Sequence, residues 1–258
     1  MIQLLLMSWL VLGVGMTVIW GLSIRYKNYA FVDVGWSFGF LVVVLLVSIF
    51  SSLAHSQSTI LAFMIGLHSL RLGTYLFKRT VGKPEEGRYA SLRESWKNNL
   101  PLKFWFFFQA QALSIIFLLI PFWLTLMGDS RHIGIIESVA IALFIVSMFG
   151  ESLADRQLEQ FKKNARTGEV CKQGLWAYSR HPNYFFECLI WVSYALYASH
   201  VLAWSSPIIM IILIWRITGI PPSEEQNLKS KGMAYEKYQK ETSVLIPWPR
   251  RKSPIGKG

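Results

Sequence analysis

Seven apolar runs, separated by linkers rich in lysine and arginine, leave this chain few ways to fold. They occupy residues 4–24, 30–54, 58–77, 103–127, 133–153, 183–199 and 203–220. A helix that crosses a bilayer needs about 20 mostly apolar residues. Inside hydrocarbon every backbone N–H and C=O must be satisfied within the segment, which selects helices. The runs therefore predict an all-α polytopic membrane protein with about seven transmembrane helices. Composition agrees: 53% of the 258 residues are hydrophobic and only 16% are charged, where a soluble domain carries roughly a quarter. The first run has no basic segment before it and no small-residue cleavage site after it, so it reads as a retained span rather than a signal peptide. The last two runs are short and read as a tight hairpin around His200. No internal repeat interrupts what reads as a single integral membrane domain over 1–258.

The net charge of +11 would suggest nucleic acid in a soluble protein. Here the cations sit between apolar runs, which excludes that class and points to topology and anionic-lipid contact. Of the 26 lysines and arginines, all but Arg71, Arg131 and Arg216 fall in the linkers after runs 1, 3 and 5 or in the tail. The positive-inside rule then places the N-terminus outside and the C-terminus inside. Cys171 and Cys188 form no CxxC and lie in unlike surroundings, so neither a disulfide nor a metal site is expected.

Ionisable residues inside spans are costly and are functional candidates for that reason. Asp33 opens run 2. His68, Arg71 and Tyr75 share one face of run 3 by their spacing of three and four. Glu151 and Asp155 end run 5, and Lys162 continues that face if the helix runs on. Glu187 follows Asn183 by one turn in run 6, and Arg216 ends run 7. Plainer roles compete. Asp33 would cap a helix or pair with Arg71, and Arg71 and Arg216 would snorkel to the interface. The segment 154–187 concentrates Lys162, Lys163, Arg166, Tyr178, Arg180, His181 and Asn183. Such a group suits a phosphate or carboxylate, or simply lipid head groups.

Residues 173–187, QGLWAYSRHPNYFFE, carry a pattern of glycine, aromatic and Y-S-R-H-P-N-Y followed by glutamate. This resembles the signature of the steroid 5-alpha-reductase-like membrane family, in its bacterial branch with a reductase-like carboxy-terminal domain. Sterol reductases share the signature, and isoprenylcysteine and phospholipid methyltransferases share a looser form. DVGW at 33–36, the Arg88–Tyr89 pair, DRQLEQFKK at 155–163, SEEQ at 223–226 and YEKYQKETSVLIPW at 235–248 extend the likeness.

The resemblance implies an enzyme of a bacterial inner membrane that reduces a carbon–carbon double bond of a lipidic enone with NADPH. Residues 128–258 would hold the cofactor on the cytoplasmic side, through Asp155, Leu158, Lys162, Tyr178 and Asn183, with further matches at Arg71, Arg180, His181, Arg216 and Glu225. Residues 1–127 would form the lipid-side pocket. Family reductases place an acid and a tyrosine on the second and third spans to polarise the substrate carbonyl. Here Asp33 falls at the acidic position and His68 at the tyrosine position, and Val32 stands where a glutamine precedes the acid. Hydride addition needs an acid at the oxygen where negative charge develops, and a histidine oriented by an aspartate can supply it. The implied partners are a lipidic substrate and membrane lipids, with no metal and no nucleic acid. The alternative is an S-adenosylmethionine-dependent membrane methyltransferase acting on a lipid or prenylated thiol. Arg180, His181 and Glu225 would then clasp the methionine end of its cofactor.

Overall fold

The computed structural model describes residues 1–51, 56–128 and 133–250. Arg131, the one basic residue expected on the outer side, lies outside the described residues, as do the end of run 2 and the basic residues beyond Arg250. Among the described residues the regular structure is helical, and the one β-type pairing is a parallel bridge between Ser179 and Ser243. Six helical segments among the described residues are long and apolar enough to cross a membrane: Ile2–Tyr26, Phe31–Phe50, Ser56–Thr80, Leu100–Leu118, Ile135–Asn164 and Val201–Lys231. The chain is an integral, polytopic membrane protein. The run at 183–199 forms a 17-residue helix, Pro182–Ala198, which rises about 25 Å, less than the roughly 30 Å of hydrocarbon.

Two compact units make up the fold: residues 1–137 with 197–206, and residues 138–196 with the chain from 207 onward. The first unit packs α1 (Ile2–Tyr26), α2 (Phe31–Phe50), α3 (Ser56–Thr80), α4 (Gly87–Ser95), α5 (Leu100–Leu118) and α6 (Ile120–Met127). Small residues let these helices approach, as expected where lipid offers no hydrophobic drive. A Cβ at Gly39 would run into Ile115 of α5, and one at Gly73 into the ring of Phe38. Ser69 of α3 donates to the Ser37 carbonyl of α2 and accepts from the Leu41 amide. On α1, Thr17 Oγ1 accepts from Gln109 and Trp105 of α5. The expected span 103–127 divides at Leu119, because Pro121 starts α6 and has no N–H to continue the ladder.

The second unit is built on α7 (Ile135–Asn164), α8 (Pro182–Ala198), α9 (Ser205–Ile212), α10 (Ile220–Lys231) and α11 (Met233–Glu241). Helix α7 does run on past Asp155, through Lys162. A side chain at Gly150 would strike Phe186, so α7 and α8 meet there without a Cβ between them. A π-helical turn, Leu213–Ile217, carries Arg216 to the surface before Gly219 and two prolines open α10.

Candidate functional site

The segment after α7 returns along it through a 3₁₀ turn, Gly174–Ala177. Two bonds staple this turn to α7: Trp176 Nε1 donates to the Ala154 carbonyl at 3.0 Å, and the Leu175 amide donates to Gln157 Oε1 at 2.9 Å. Gly174 makes the approach possible, with a left-handed φ of 57° and the Gln157 amide where a Cβ would stand. The turn delivers Arg180, His181 and Asn183 to the start of α8.

Asn183 Nδ2 lies 3.4 Å from Asp155 Oδ1, so α7 and α8 share a carboxylate–amide contact in which Asp155 is buried and Asn183 half-buried. Leu158 and Lys162 continue the Asp155 face of α7 at the i+3 and i+7 positions. Leu158 is half-buried, and Lys162 and Tyr178 are exposed. A cleft of about 520 Å³ lies on the other face of α7, lined by Gln157, Gln160, Phe161 and Asn164 and closed by Glu169 and Gln173. It holds amides and one carboxylate but no cation, and is poorly suited to phosphate.

Arg180 and His181 converge on one carboxylate, and it is that of Glu224. Arg180 donates to both oxygens, Nε at 2.6 Å and Nη2 at 3.2 Å. His181 Nε2 lies 3.1 Å from Oε1, and Gln239 donates at 2.7 Å. Arg180 Nη1 donates to the Gln239 and Thr242 carbonyls. A guanidinium committed in this way braces the fold rather than waiting for a ligand. Burial lowers the His181 pKa, and the bond to Glu224 partly opposes that. The ring of Tyr184 stacks on His181. Glu225, the residue expected from the sequence, is exposed and pairs with Lys229 at 2.6 Å. Sequence reasoning missed Glu224 although the signal was present: Glu224, Asn227 and Lys231 form the half-buried stripe of α10, while Glu225 and Lys229 are exposed.

The tail closes over this arrangement. The Arg180 amide donates to the Ser243 carbonyl at 2.8 Å, Ser179 Oγ to the Leu245 carbonyl at 2.7 Å, and the Trp248 amide to the Tyr178 carbonyl at 3.0 Å. Tyr238 donates from α11 to the Trp176 carbonyl.

Asp33, His68 and Arg71 belong to the first unit. Asp33, in the first turn of α2, accepts from Arg88 Nη2 at 2.9 and 2.6 Å and from the Tyr89 hydroxyl at 2.7 Å. Its partner is thus Arg88 rather than Arg71. Tyr89 is fully buried, and burial together with Asp33 raises its pKa well above the ordinary value. Beside this group Glu85 accepts from the Tyr29 amide and from Arg93, and Asn28 reaches the Thr80 and Lys83 carbonyls. Arg88 and Tyr89 come from the linker after α3 and were not among the expected site residues. His68 is buried on α3, and Arg71 lies over the ring of Tyr75 at 5.7 Å.

Residues 19–242 match the family described as a protein of unknown function, DUF1295. The chain belongs to this family, which is part of the steroid 5-alpha-reductase-like superfamily. It is also similar to an uncharacterised protein of Schizosaccharomyces pombe, 28% identical over 210 residues. That match covers 70% of this chain and 61% of the relative.

Proposed function

We propose that this protein is a membrane oxidoreductase that uses NADPH to reduce a carbon–carbon double bond in a lipidic, enone-like substrate. The observation that carries this reading is the Asp155–Asn183 contact, continued along α7 by Leu158 and Lys162. A carboxylate and an amide side by side offer donors and acceptors to a carboxamide or to ribose hydroxyls. Lys162 lies about 10 Å further along the helix axis, where its charge suits a pyrophosphate. Membership of the reductase-like superfamily supports the same reading. When bound, the cofactor would supply a hydride. The protein would position it, exclude water and protonate the substrate. The acid role falls by resemblance to His68, with Asp33 held by Arg88 and Tyr89. Arg180, His181 and Glu224 would set the position of Asn183 rather than touch the cofactor. We assign the nucleotide side to the cytoplasm of a bacterial inner membrane, on the strength of the basic linkers.

The convergence of Arg180 and His181 on a carboxylate favours a second reading, a methyltransferase that clasps the methionine end of S-adenosylmethionine. It ranks behind the first because Glu224 already neutralises Arg180.

Thermal unfolding of the purified protein in detergent, with NADPH and S-adenosylmethionine side by side, tests the assignment. A ligand at 100 times its dissociation constant stabilises by about 2.7 kcal/mol. NADPH should raise Tm, and Asn183→Ala and Lys162→Ala should each weaken that effect. His68→Ala should abolish turnover and spare NADPH binding. A response to S-adenosylmethionine alone would replace the reductase reading with the second.

A further inference from the structure

The cleft beside α7 has no part in the assignment above. Gln157, Gln160, Phe161 and Asn164 line it from the helix, and Glu169 and Gln173 line it from the loop that follows. At 3.6 residues per turn the four helix positions fall within about 100° of one another, on roughly the opposite side from Asp155, Leu158 and Lys162. Bonds hold both walls. Gln157 Oε1 accepts from the Leu175 amide at 2.9 Å, so its Nε2 is the end left to donate. The Ala165 amide ends α7 on the Phe161 carbonyl at 2.9 Å. The Arg166 amide donates to Glu169 Oε2 at 3.1 Å, and the Glu169 amide returns a bond to the Arg166 carbonyl at 3.2 Å. Among the described residues no protein group bonds the side-chain amides of Gln160, Asn164 and Gln173.

This lining selects a ligand by its chemistry. One carboxylate and no cation face the space, so a phosphate would leave water for a like charge. A hydrocarbon chain would strand the amides without partners. The hydroxyls of a sugar both donate and accept, as each amide does, and a carboxylate accepts from two of them at once. Half-buried Phe161 offers an apolar surface to the C–H face of a sugar ring. The volume, about 520 Å³, is of the size that small-molecule sites have. Depth matters as well. The apolar run of α7 ends at Leu153, and Gln157 and Asn164 lie about 6 Å and about 17 Å further along the axis. A head-group layer is roughly 5–8 Å deep, so the cleft begins level with the head groups and continues into water.

We propose that this cleft binds an uncharged glycosyl group. Two sources offer that chemistry: the head group of a glycosyl diacylglycerol in the surrounding leaflet, and a free saccharide in the aqueous phase. The site shares no residue with the cofactor assignment and stands or falls apart from it.

The test uses the full chain in phosphatidylcholine nanodiscs, because an alkyl maltoside detergent would itself compete. Hydrogen exchange and thermal unfolding are followed with monoglucosyl diacylglycerol or phosphatidylglycerol in the bilayer, and with glucose, maltose or adenosine in the buffer. Monoglucosyl diacylglycerol should slow exchange over residues 157–174 and raise Tm, and phosphatidylglycerol should do neither. The double variant Gln160→Ala with Asn164→Ala changes two exposed positions, so it should fold as wild type does. It should bind about tenfold more weakly, as the loss of two hydrogen bonds implies. Protection by glucose or maltose, with none by the glycolipid, keeps the site and assigns it a soluble ligand. The site is overturned if no sugar-bearing probe protects this segment, if adenosine or phosphatidylglycerol protects it in preference, or if the double variant binds as tightly as wild type.

Discussion

Glu224 meets Arg180 at 2.6 Å across 44 residues of chain, while its neighbour Glu225 faces away and pairs with Lys229. Two adjacent glutamates thus serve opposite purposes, one tying α10 to the start of α8 and the other decorating an exposed helix face. The pair is nearly enclosed, so removing one partner leaves a buried charge.

Replacing these two glutamates separates the roles. Glu224→Ala should cost about 3–5 kcal/mol, the range for breaking a buried ion pair. Glu225→Ala should stay within about 0.5 kcal/mol, as exposed pairs do. Thermal unfolding in one detergent compares them, and equal losses would contradict the geometry.

Acid should weaken the second unit through His181. Burial holds its pKa below the ordinary 6.5, so the unfolded chain takes up this proton at a higher pH than the folded one. The stability concerned is complete above about pH 6.5 and is lost as pH falls through that value toward the lower folded pKa. A Tm series from pH 8 to pH 5 should decline at the acid end, and His181→Gln should flatten the decline. An identical slope in the variant would assign the effect elsewhere.

Tyr89→Phe should destabilise the first unit by about 1–3 kcal/mol, because Asp33 loses a buried donor and Arg88 an acceptor. Arg88 still pairs with Asp33, so the variant should fold, with a lower Tm. An unchanged Tm would mean that the hydroxyl is dispensable to the cluster.

Gly174→Ala should cost about 1–3 kcal/mol, since the residue has positive φ and its new Cβ would displace the Gln157 amide from the Leu175 N–H. Gly168 also has positive φ but has open space around it. Gly168→Ala should therefore lose less, which a paired unfolding measurement would check.

Hydrophobic runs and proline positions made most of the helices legible. The break at Leu119 follows from Pro121, and the extension of α7 through Lys162 follows from a polar but unbroken helical pattern. Spacing also put Glu151, Asp155 and Lys162 on one face, and the family resemblance added Leu158. Contacts between distant segments were not legible. Arg88 and Tyr89 sit 55 and 56 residues from Asp33, and no local period links them. The choice between Glu224 and Glu225 depends on the rotational phase of α10, which is set by where Gly219 and two prolines begin the helix. The tail at 243–248 is a short apolar stretch, SVLIPW, yet its backbone completes the turn at 178–180 through bonds that involve few side chains.

That last feature imposes an order in time. Arg180 finds its acceptors at Glu224, Gln239 and Thr242, all made by the ribosome after α8. Until they emerge, a guanidinium waits beside the start of a freshly inserted helix with only lipid head groups and water to satisfy it. Asn183 and its neighbours therefore reach their final geometry at the close of synthesis. A nascent chain stopped before Gln239 would hold both helices of the Asp155–Asn183 contact and still lack the Gln239 and Thr242 carbonyls that brace Arg180.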